Sequence, residues 1–265
     1  MLFNVGDLVT RQSHGNDIVF RIMSIENNIA YLKGLDVRLI ADSYLDDLKK
    51  VDDPGRNEDE EMSKNLNNEI NLDRNEYFYL PGKVLHIDAD NEYLKRCMSL
   101  YKKLKIMAYG VTLQEKDISS NIYEYLNEIN PDIVVITGHD AYFKKRKNSL
   151  KEDEYKNSNN FINAVLEARK YEKSQEKLII IAGACQSNYE ELIKAGANFA
   201  SSPKRINIHA LDPAIVASLI ALSNKSESID LLKIINSTKY KEEGIGGIIT
   251  NGTMYVGYPR WILQK

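Results

Sequence analysis

The sequence predicts an α/β protein, in which a doubly wound, mostly parallel sheet with helices on both faces follows a small N-terminal SH3-like β-barrel. Three observations support this prediction. Residues 132–137 contain the unbroken apolar run 133–136, and residues 178–182 are apolar throughout. Amphipathic helices alternate with strands after residue 77, and residues 1–50 hold short apolar runs separated by Gly, Asn and Asp. Strands that are apolar on both faces are typical of a parallel sheet covered by helices, and short strands joined by turn residues are typical of small barrels.

The composition is that of an ordinary globular protein, and it excludes several functional classes. The chain has 265 residues, 43% hydrophobic and 28% charged, which is enough to bury a full core. Because 35 basic side chains nearly balance 38 acidic ones, we expect no nucleic-acid partner. We expect no membrane partner either, since no apolar stretch approaches about 18 residues and the first residues do not resemble a secretory signal. Two cysteines, Cys97 and Cys185, make no disulfide framework and suit a reducing cell interior.

The chain divides into three parts. Residues 1–50 form the small β module, and residues 77–265 form the α/β domain. Between them, residues 51–76 carry nine acidic and three basic side chains, and we interpret this stretch as an acidic linker with Arg56 and Arg74 as candidate cleavage sites. The strands of the β module are expected near residues 3–9, 18–22, 29–34 and 37–41.

Strands and helices alternate within the α/β domain. Leu94, Cys97 and Tyr101 recur at helical spacing and predict a helix between two strands, in which Cys97 is a core residue. The dipeptide Asn251-Gly252 between two short apolar runs predicts a β-hairpin with a type I′ turn. Strands are expected over residues 83–87, 106–111, 132–137, 178–182, 198–200 and 206–208, and helices over residues 91–104, 121–129, 161–171, 213–222 and 229–235.

Two strand ends place a histidine and a cysteine at one rim of the sheet. The third strand of the α/β domain ends before His139, and the fourth ends before Cys185. Ligands bind beyond the carboxyl ends of the strands in doubly wound sheets, and right-handed crossovers make these two strands neighbours. The sequence therefore predicts that an imidazole and a thiol lie close together at this rim.

A thiol beside an imidazole is the pair that nucleophilic acyl transfer requires. The thiolate of Cys185 is the nucleophile, His139 takes its proton, and the Cys185 N–H faces the developing oxyanion. Gly138 lets the backbone of a substrate approach closely. Asp140 is either an orienter of His139 or a turn cap, and His209 is a rival base because it also follows a short strand.

Several segments resemble the YabG family of sporulation-specific cysteine proteases: VGDLVTRQSHGNDIVFRI, LKGLDVRLIAD, PGKVLHIDAD, VVITGHDAY and AGACQSNYEELIKAGANFASSPKRINIHALDP. The pair IVVITGHD and IIIAGACQS also resembles the caspase-like cysteine proteases, although Asp140 stands where caspases have glycine. The resemblance implies a caspase-like sheet, Cys185 as nucleophile, His139 as general base and no cofactor. It also implies a mother-cell protease, found in the cytoplasm and the spore coat, that cleaves spore-coat and cortex-lytic proteins after arginine and processes itself.

Selectivity for arginine requires a carboxylate in the specificity pocket, because a guanidinium pairs best with a bidentate acceptor. Asp88 and Asp212 are the first candidates and Asp90 is a third, although each of them could equally cap a helix or a turn. Ser201 and Ser202 are candidate polar walls, and residues 141–158 are a candidate flap over the site.

Two other classes of protein stay open at this point. A glutamine-amidotransferase-like Cys hydrolase shares the strand–Cys–helix arrangement but usually places its histidine well after the cysteine. A non-catalytic spore-structural scaffold is the second alternative. The sequence does not determine the oligomeric state.

Overall fold

The computed structural model describes residues 3–55, 57–70, 72, 76–143 and 154–260, and most of its strands belong to two sheets. The strands of the first part of the chain are β1 (Leu8–Arg11), β2 (Phe20–Glu26), β3 (Ile29–Gly34), β4 (Ile40–Tyr44) and β5 (Leu48–Lys50). The later strands are β6 (Phe78–Leu80), β7 (Val84–Asp88), β8 (Ala108–Thr112), β9 (Ile133–Thr137), β10 (Ile179–Ala182), β11 (Phe199–Ser201), β12 (Ile245–Gly247) and β13 (Tyr255–Gly257). The helices are α1 (Asn57–Glu69), α2 (Asn91–Lys103), α3 (Glu115–Ile129), α4 (Ser158–Tyr171), α5 (Tyr189–Ala195), α6 (Asp212–Ala221), α7 (Leu231–Asn236) and α8 (Lys241–Gly244).

The N-terminal strands form an antiparallel sheet in the order β4-β3-β2-β1-β5. Val9, Phe20, Ile22 and Leu32 form the core of this sheet. Among the described residues β4 and β5 stay at opposite edges, so the predicted closed SH3-like barrel is not seen. None of the side chains of β4 is buried, which is typical of a strand at an open edge.

The larger sheet has the order β12-β11-β10-β9-β7-β8, and its strands are parallel except for β12, which is antiparallel to β11. Every residue of β7, β9 and β10 is buried, as the predicted two-sided covering requires. Helices α2, α6 and α7 pack on one face, and α3, α4 and α5 pack on the other. The doubly wound α/β architecture is therefore confirmed.

Helix α6 is the most deeply buried helix of the domain, since all ten of its residues are buried. It begins with Asp212 and Pro213, and proline suits the first turn of a helix because its missing N–H has no intrahelical partner there. No helix in the described part of the chain is both long and apolar enough to cross a membrane.

The acidic stretch predicted as a linker contains helix α1. Its Leu66 is buried in the core beneath α2, and Asp59 pairs with Arg96 of α2 at 2.7 Å. Leu66 shows that a few apolar residues suffice to dock a helix that is otherwise polar.

Two local predictions near the C-terminus are wrong. Asn251-Gly252 does not join a hairpin, because β12 pairs with β11 while β13 pairs with β6. Residues 206–208 do not form a strand of the large sheet. The adjacent His209 instead makes an isolated antiparallel bridge with Val37 of the N-terminal part.

Candidate active site

The candidate site lies where the order of the strands reverses. Strand β8 lies on one side of β7 and β9 lies on the other, which makes the carboxyl ends of β7 and β9 the switch point at which doubly wound proteins bind ligands. His139 follows β9, and Cys185 follows the adjacent β10. The Thr137 hydroxyl donates to Gly183 O at 2.9 Å and ties the two strand ends together.

His139 is held between two carboxylates. Its Nε2 lies 3.3 Å from Asp90 Oδ2, and its Nδ1 lies 3.4 Å from Glu115 Oε1, which also accepts the His139 N–H at 2.9 Å. Burial disfavours the imidazolium, but the hydrogen bonds and charges of Asp90 and Glu115 outweigh burial, so the pKa of His139 is raised from its usual value of 6.5. The site is thus built to stabilise a protonated imidazole.

Cys185 is completely buried. Its Sγ accepts the Ile208 N–H at 3.3 Å. Burial raises the pKa of the thiol to about 12, although the N–H groups of Ile208 and Arg38 act in the opposite direction. In this arrangement of the chain the sulfur is a neutral thiol that solvent does not reach.

Asp140 holds the two loops of the site together. Its carboxylate accepts hydrogen bonds from the hydroxyls of Ser158 and Ser187, at 2.5 Å and 2.9 Å. Ser187 in turn accepts the Ala184 N–H at 2.9 Å. Because these contacts fix the turn that carries Cys185, the geometry favours the turn-capping interpretation of Asp140.

Asp88 lies at the base of a pocket that contains a guanidinium. Its Oδ2 lies 2.7 Å from Arg38 Nη1, and neither side chain is exposed at all. Arg38 Nη2 donates to Ala210 O at 2.9 Å, and its guanidinium carbon lies 5.0 Å from the centre of the Tyr93 ring. The Cys97 thiol lies 3.7 Å from the same Nη2. The pocket therefore combines a carboxylate, a carbonyl and an aromatic face around one cation.

Asp212, the other leading candidate for the specificity carboxylate, accepts two backbone hydrogen bonds. The His209 N–H lies 3.0 Å from its Oδ2, and the Lys239 N–H lies 2.9 Å from its Oδ1. Burial raises the pKa of Asp212 to about 6. This carboxyl group therefore joins the turn before α6 to the chain at Lys239.

Gly138 and His209 lie at the edges of the site. A Cβ at Gly138 would meet the Ala89 side chain at 2.8 Å and Glu115 Oε1 at 2.9 Å, so glycine permits the close packing that brings Glu115 to His139. His209 Nδ1 accepts the Leu211 N–H at 3.2 Å. Burial lowers the pKa of His209 to about 4, which keeps this ring neutral near neutral pH.

The remaining predicted site residues are placed as follows. Ser202 supports the cysteine loop, because its hydroxyl accepts the Gln186 N–H at 3.1 Å and donates to Ile206 O at 2.6 Å. Ser201 is buried in β11. Of the candidate flap, residues 144–153 lie outside the described residues, and so do the candidate cleavage sites Arg56 and Arg74.

Asp36, Asp59 and His209 form a group whose ligand atoms lie within 4.8 Å of one another, in the part of the chain that the structure describes. Both carboxylates already pair with Arg96, at 3.0 Å and 2.7 Å. A guanidinium therefore provides the positive charge that a metal ion would otherwise supply.

Sequence reasoning missed Arg38, Glu115 and Tyr93. Glu115 begins α3, more than twenty residues before His139 in the chain, and no local pattern connects the two residues. Arg38 had one detectable signal, since it interrupts the apolar run Val37-Arg38-Leu39-Ile40, where a buried charge requires a partner.

Known proteins share much of this sequence. The family described as YabG peptidase U57 matches residues 4–259. The chain is also 42% identical over 291 residues to the "Sporulation-specific protease YabG" of Bacillus subtilis (strain 168), covering 98% of this chain and 99% of that one. The chain belongs to the YabG peptidase U57 family. Membership makes it a protease, with proteins as its substrates.

Among solved structures, the chain shows a slight likeness to the A domain of carboxylic acid reductase from Segniliparus rugosus, in complex with AMP and a co-purified carboxylic acid. The TM-score is 0.31 and the identity is 13%, over 72% of this chain and 24% of that one. This chain thus spans about a quarter of that structure. A likeness at this level supports no conclusion about the fold or function of this YabG-family chain.

Proposed function

We propose that this YabG-family protease is a cysteine endopeptidase with Cys185 as nucleophile and His139 as general base and acid. The observation that carries the proposal is the placement of the two residues just beyond the adjacent carboxyl ends of β9 and β10, at the switch point of the sheet. The interpretation as a glutamine-amidotransferase-like hydrolase or a scaffold loses its support, because the family is a peptidase family.

In the proposed reaction, the proton of the Cys185 thiol passes to His139, and Sγ attacks the carbonyl carbon of the scissile bond. The Cys185 N–H stabilises the oxyanion. His139 then gives its proton to the leaving amine, and water hydrolyses the thioester to release the acid and regenerate the thiol. Asp90 and Glu115 favour the proton on His139, which stabilises the ion pair that forms when the thiol loses its proton.

Cleavage after arginine is the second part of the proposal, with Asp88 as the specificity carboxylate. The 2.7 Å pair between Asp88 and Arg38 supports this assignment, since it demonstrates that the end of β7 accommodates a guanidinium. Asp212 is the weaker candidate because both of its oxygens accept backbone N–H groups.

The catalytic assignment is tested by measuring peptide hydrolysis by the purified chain and its variants. The two substrates differ only in having arginine or citrulline before the bond that is cleaved. Cys185→Ala is expected to abolish hydrolysis, whereas Cys97→Ala, which removes the other buried thiol, is expected to retain it. His139→Ala should lose activity while His209→Ala keeps most of it. Activity that persists in Cys185→Ala would refute the assignment of the nucleophile, and equal cleavage of the citrulline peptide would refute arginine selectivity.

We also propose that the chain acts in sporulation, as the name of its Bacillus subtilis relative suggests, on spore-coat and cortex-lytic proteins. Its place would be the mother-cell cytoplasm and the spore coat, and self-processing would accompany its action. We further propose that residues 1–50 and 77–265 are two domains, a small β domain and a caspase-like protease domain, with residues 51–76 between them.

A further inference from the structure

The loop between β3 and β4 leaves the N-terminal sheet and enters the candidate active site. The Arg38 N–H donates to Ile208 O at 3.3 Å, and the Ala210 N–H donates to Asp36 O at 2.9 Å. Val37 and His209 form an antiparallel bridge between these two bonds. Pairing of backbone N–H and C=O groups between two segments is also a common mode by which proteins bind peptides.

The side chain of Arg38 fills the pocket formed by Asp88, Ala210 O and the Tyr93 ring, where it is completely buried. Moving a guanidinium out of water is expensive, and a buried ion pair contributes little net stability compared with apolar residues of similar volume. Stability alone therefore explains this pair poorly. A pocket that has to recognise arginine explains it well.

The same backbone positions place Arg38 beside the nucleophile. Ile208 accepts the Arg38 N–H with its carbonyl, and donates its own N–H to Cys185 Sγ at 3.3 Å. An arginine whose backbone pairs with Ile208 and whose side chain reaches Asp88 is therefore the residue of the bound segment next to the sulfur. The segment also covers Cys185, which has no exposed surface.

After Arg38 the chain departs from the path of an extended peptide. The Leu39 N–H donates to Val37 O at 2.8 Å, and the Gly34 N–H donates to Leu39 O at 2.7 Å. A Cβ at Gly34 would lie 2.3 Å from Val37 O, so this tight loop requires glycine. The chain bends at residues 35 and 36, pairs with His209 at Val37 and turns back around Arg38, which keeps the bond after Arg38 inside a closed loop.

Helix α2 holds the loop in place from the other side. The Tyr93 hydroxyl lies 2.6 Å from Gly34 O, and Arg96 Nη1 donates to Leu35 O at 2.8 Å. Both side chains are buried. In this structure α2 therefore holds the loop against residues 208–210.

We propose that residues 35–38 are an internal inhibitor that occupies the substrate-binding cleft, with Arg38 in the place of the substrate's arginine. The inference rests on the proposed function and extends it in two ways. It assigns residues 208–210 as the edge on which an arginyl peptide pairs, and it requires the loop to withdraw before a protein substrate enters.

Peptide binding without hydrolysis tests the proposal. The probe is a fluorescent peptide with the sequence of residues 33–38 and an amidated end, and its Kd is measured by anisotropy in the Cys185→Ala background. Adding Arg38→Ala empties the pocket and is expected to lower the Kd at least tenfold. Adding Arg21→Ala, a matched change on the surface of the same module, is expected to leave the Kd unchanged. A peptide with alanine in place of its arginine should not bind the Arg38→Ala variant more tightly than it binds the parent chain.

An unchanged Kd in a folded Arg38→Ala chain, as judged by circular dichroism, would overturn the proposal. If that variant does not fold, Arg38→Lys keeps the cation but weakens the pairing, and a Kd lowered several-fold is expected in place of the tenfold change. No change in the lysine variant overturns the proposal as well. Hydrolysis of an arginine peptide by chains that retain Cys185 separates the two ideas. Tighter binding in the Arg38→Ala chain together with no cleavage by any chain that retains Cys185 refutes the endopeptidase. Cleavage by the wild type with no gain in binding refutes only the inhibitor.

Discussion

The buried pair of Arg38 and Asp88 gives a prediction about folding that does not depend on catalysis. Both side chains are completely buried and their charged atoms are 2.7 Å apart, so removing either charge leaves the other buried without its charged partner. Breaking a buried pair in this way costs roughly 3–5 kcal/mol, whereas removing both charges is often nearly neutral. We therefore expect Asp88→Asn and Arg38→Met each to lower the free energy of unfolding by about 3–5 kcal/mol. We expect the double variant to recover most of that loss.

Urea unfolding followed by circular dichroism measures this cycle, with the denaturation midpoint and the slope reported separately. The exposed pair of Lys170 and Glu167 is the control, since removing one of its charges should leave the midpoint unchanged. A double variant as unstable as the sum of the two single variants would refute the reasoning, because additive effects mean that the two side chains do not interact. Single variants within about 1 kcal/mol of the wild type would refute it too, since the pocket would then be open to water.

Three further predictions concern other parts of the chain. Leu66→Ala should lower the free energy of unfolding by about 2–5 kcal/mol in urea if α1 is part of the core, and a change near zero would contradict that packing. Glu115→Gln should lower the pKa of His139, measured by NMR titration of its ring. Because that pKa is raised above 6.5 in the folded chain, the stability that His139 contributes is present below pH 6.5 and is lost as the pH rises through the folded value. The variant should therefore make the free energy of unfolding depend less on pH. Iodoacetamide should leave Cys185 unmodified in the folded wild type and modify it in Arg38→Ala, as mass spectrometry would detect, and equal modification rates would argue against the covering loop.

The rim of the site could be predicted because its positions follow from local patterns. Strand β10 is apolar at every position and β9 at every position before Thr137, and strands of this kind are typical of a parallel sheet covered on both faces. Once the two strands are neighbours, the residues that follow them share a rim. His139 and Cys185 were therefore accessible to sequence reasoning, and so was Asp88 at the end of β7.

The partners of these residues were not predictable in the same way. Glu115 approaches His139 only because α3 begins beside the end of β9, and Arg38 approaches Asp88 only because the N-terminal loop crosses into the other part of the chain. Such contacts depend on how elements pack, and no periodicity in the sequence records them.

The predicted hairpin failed for a related reason. Asn251-Gly252 has the composition of a tight turn, but Asn251 bridges Ser228 and the flanking strands pair elsewhere. Turn propensity states which bend is easy to form. It does not state which strands will pair. Here β12 pairs with β11 and β13 pairs with β6, both distant in sequence, and not with each other.

The acidic side chains at the switch point have different functions, which depend on whether each lies at the start of a helix, in a loop or at the end of a strand. Asp90 and Glu115, at the starts of α2 and α3, raise the pKa of His139, and Asp140 fixes the turn that carries Cys185. Asp88, at the end of β7, is the one deep enough to meet a cation that enters along residues 208–210. A site with this much negative charge favours a cationic ligand and disfavours an acidic one. In this structure the chain itself supplies that cation, and for this reason the same geometry argues both for selectivity toward arginine and for inhibition by the loop that carries Arg38.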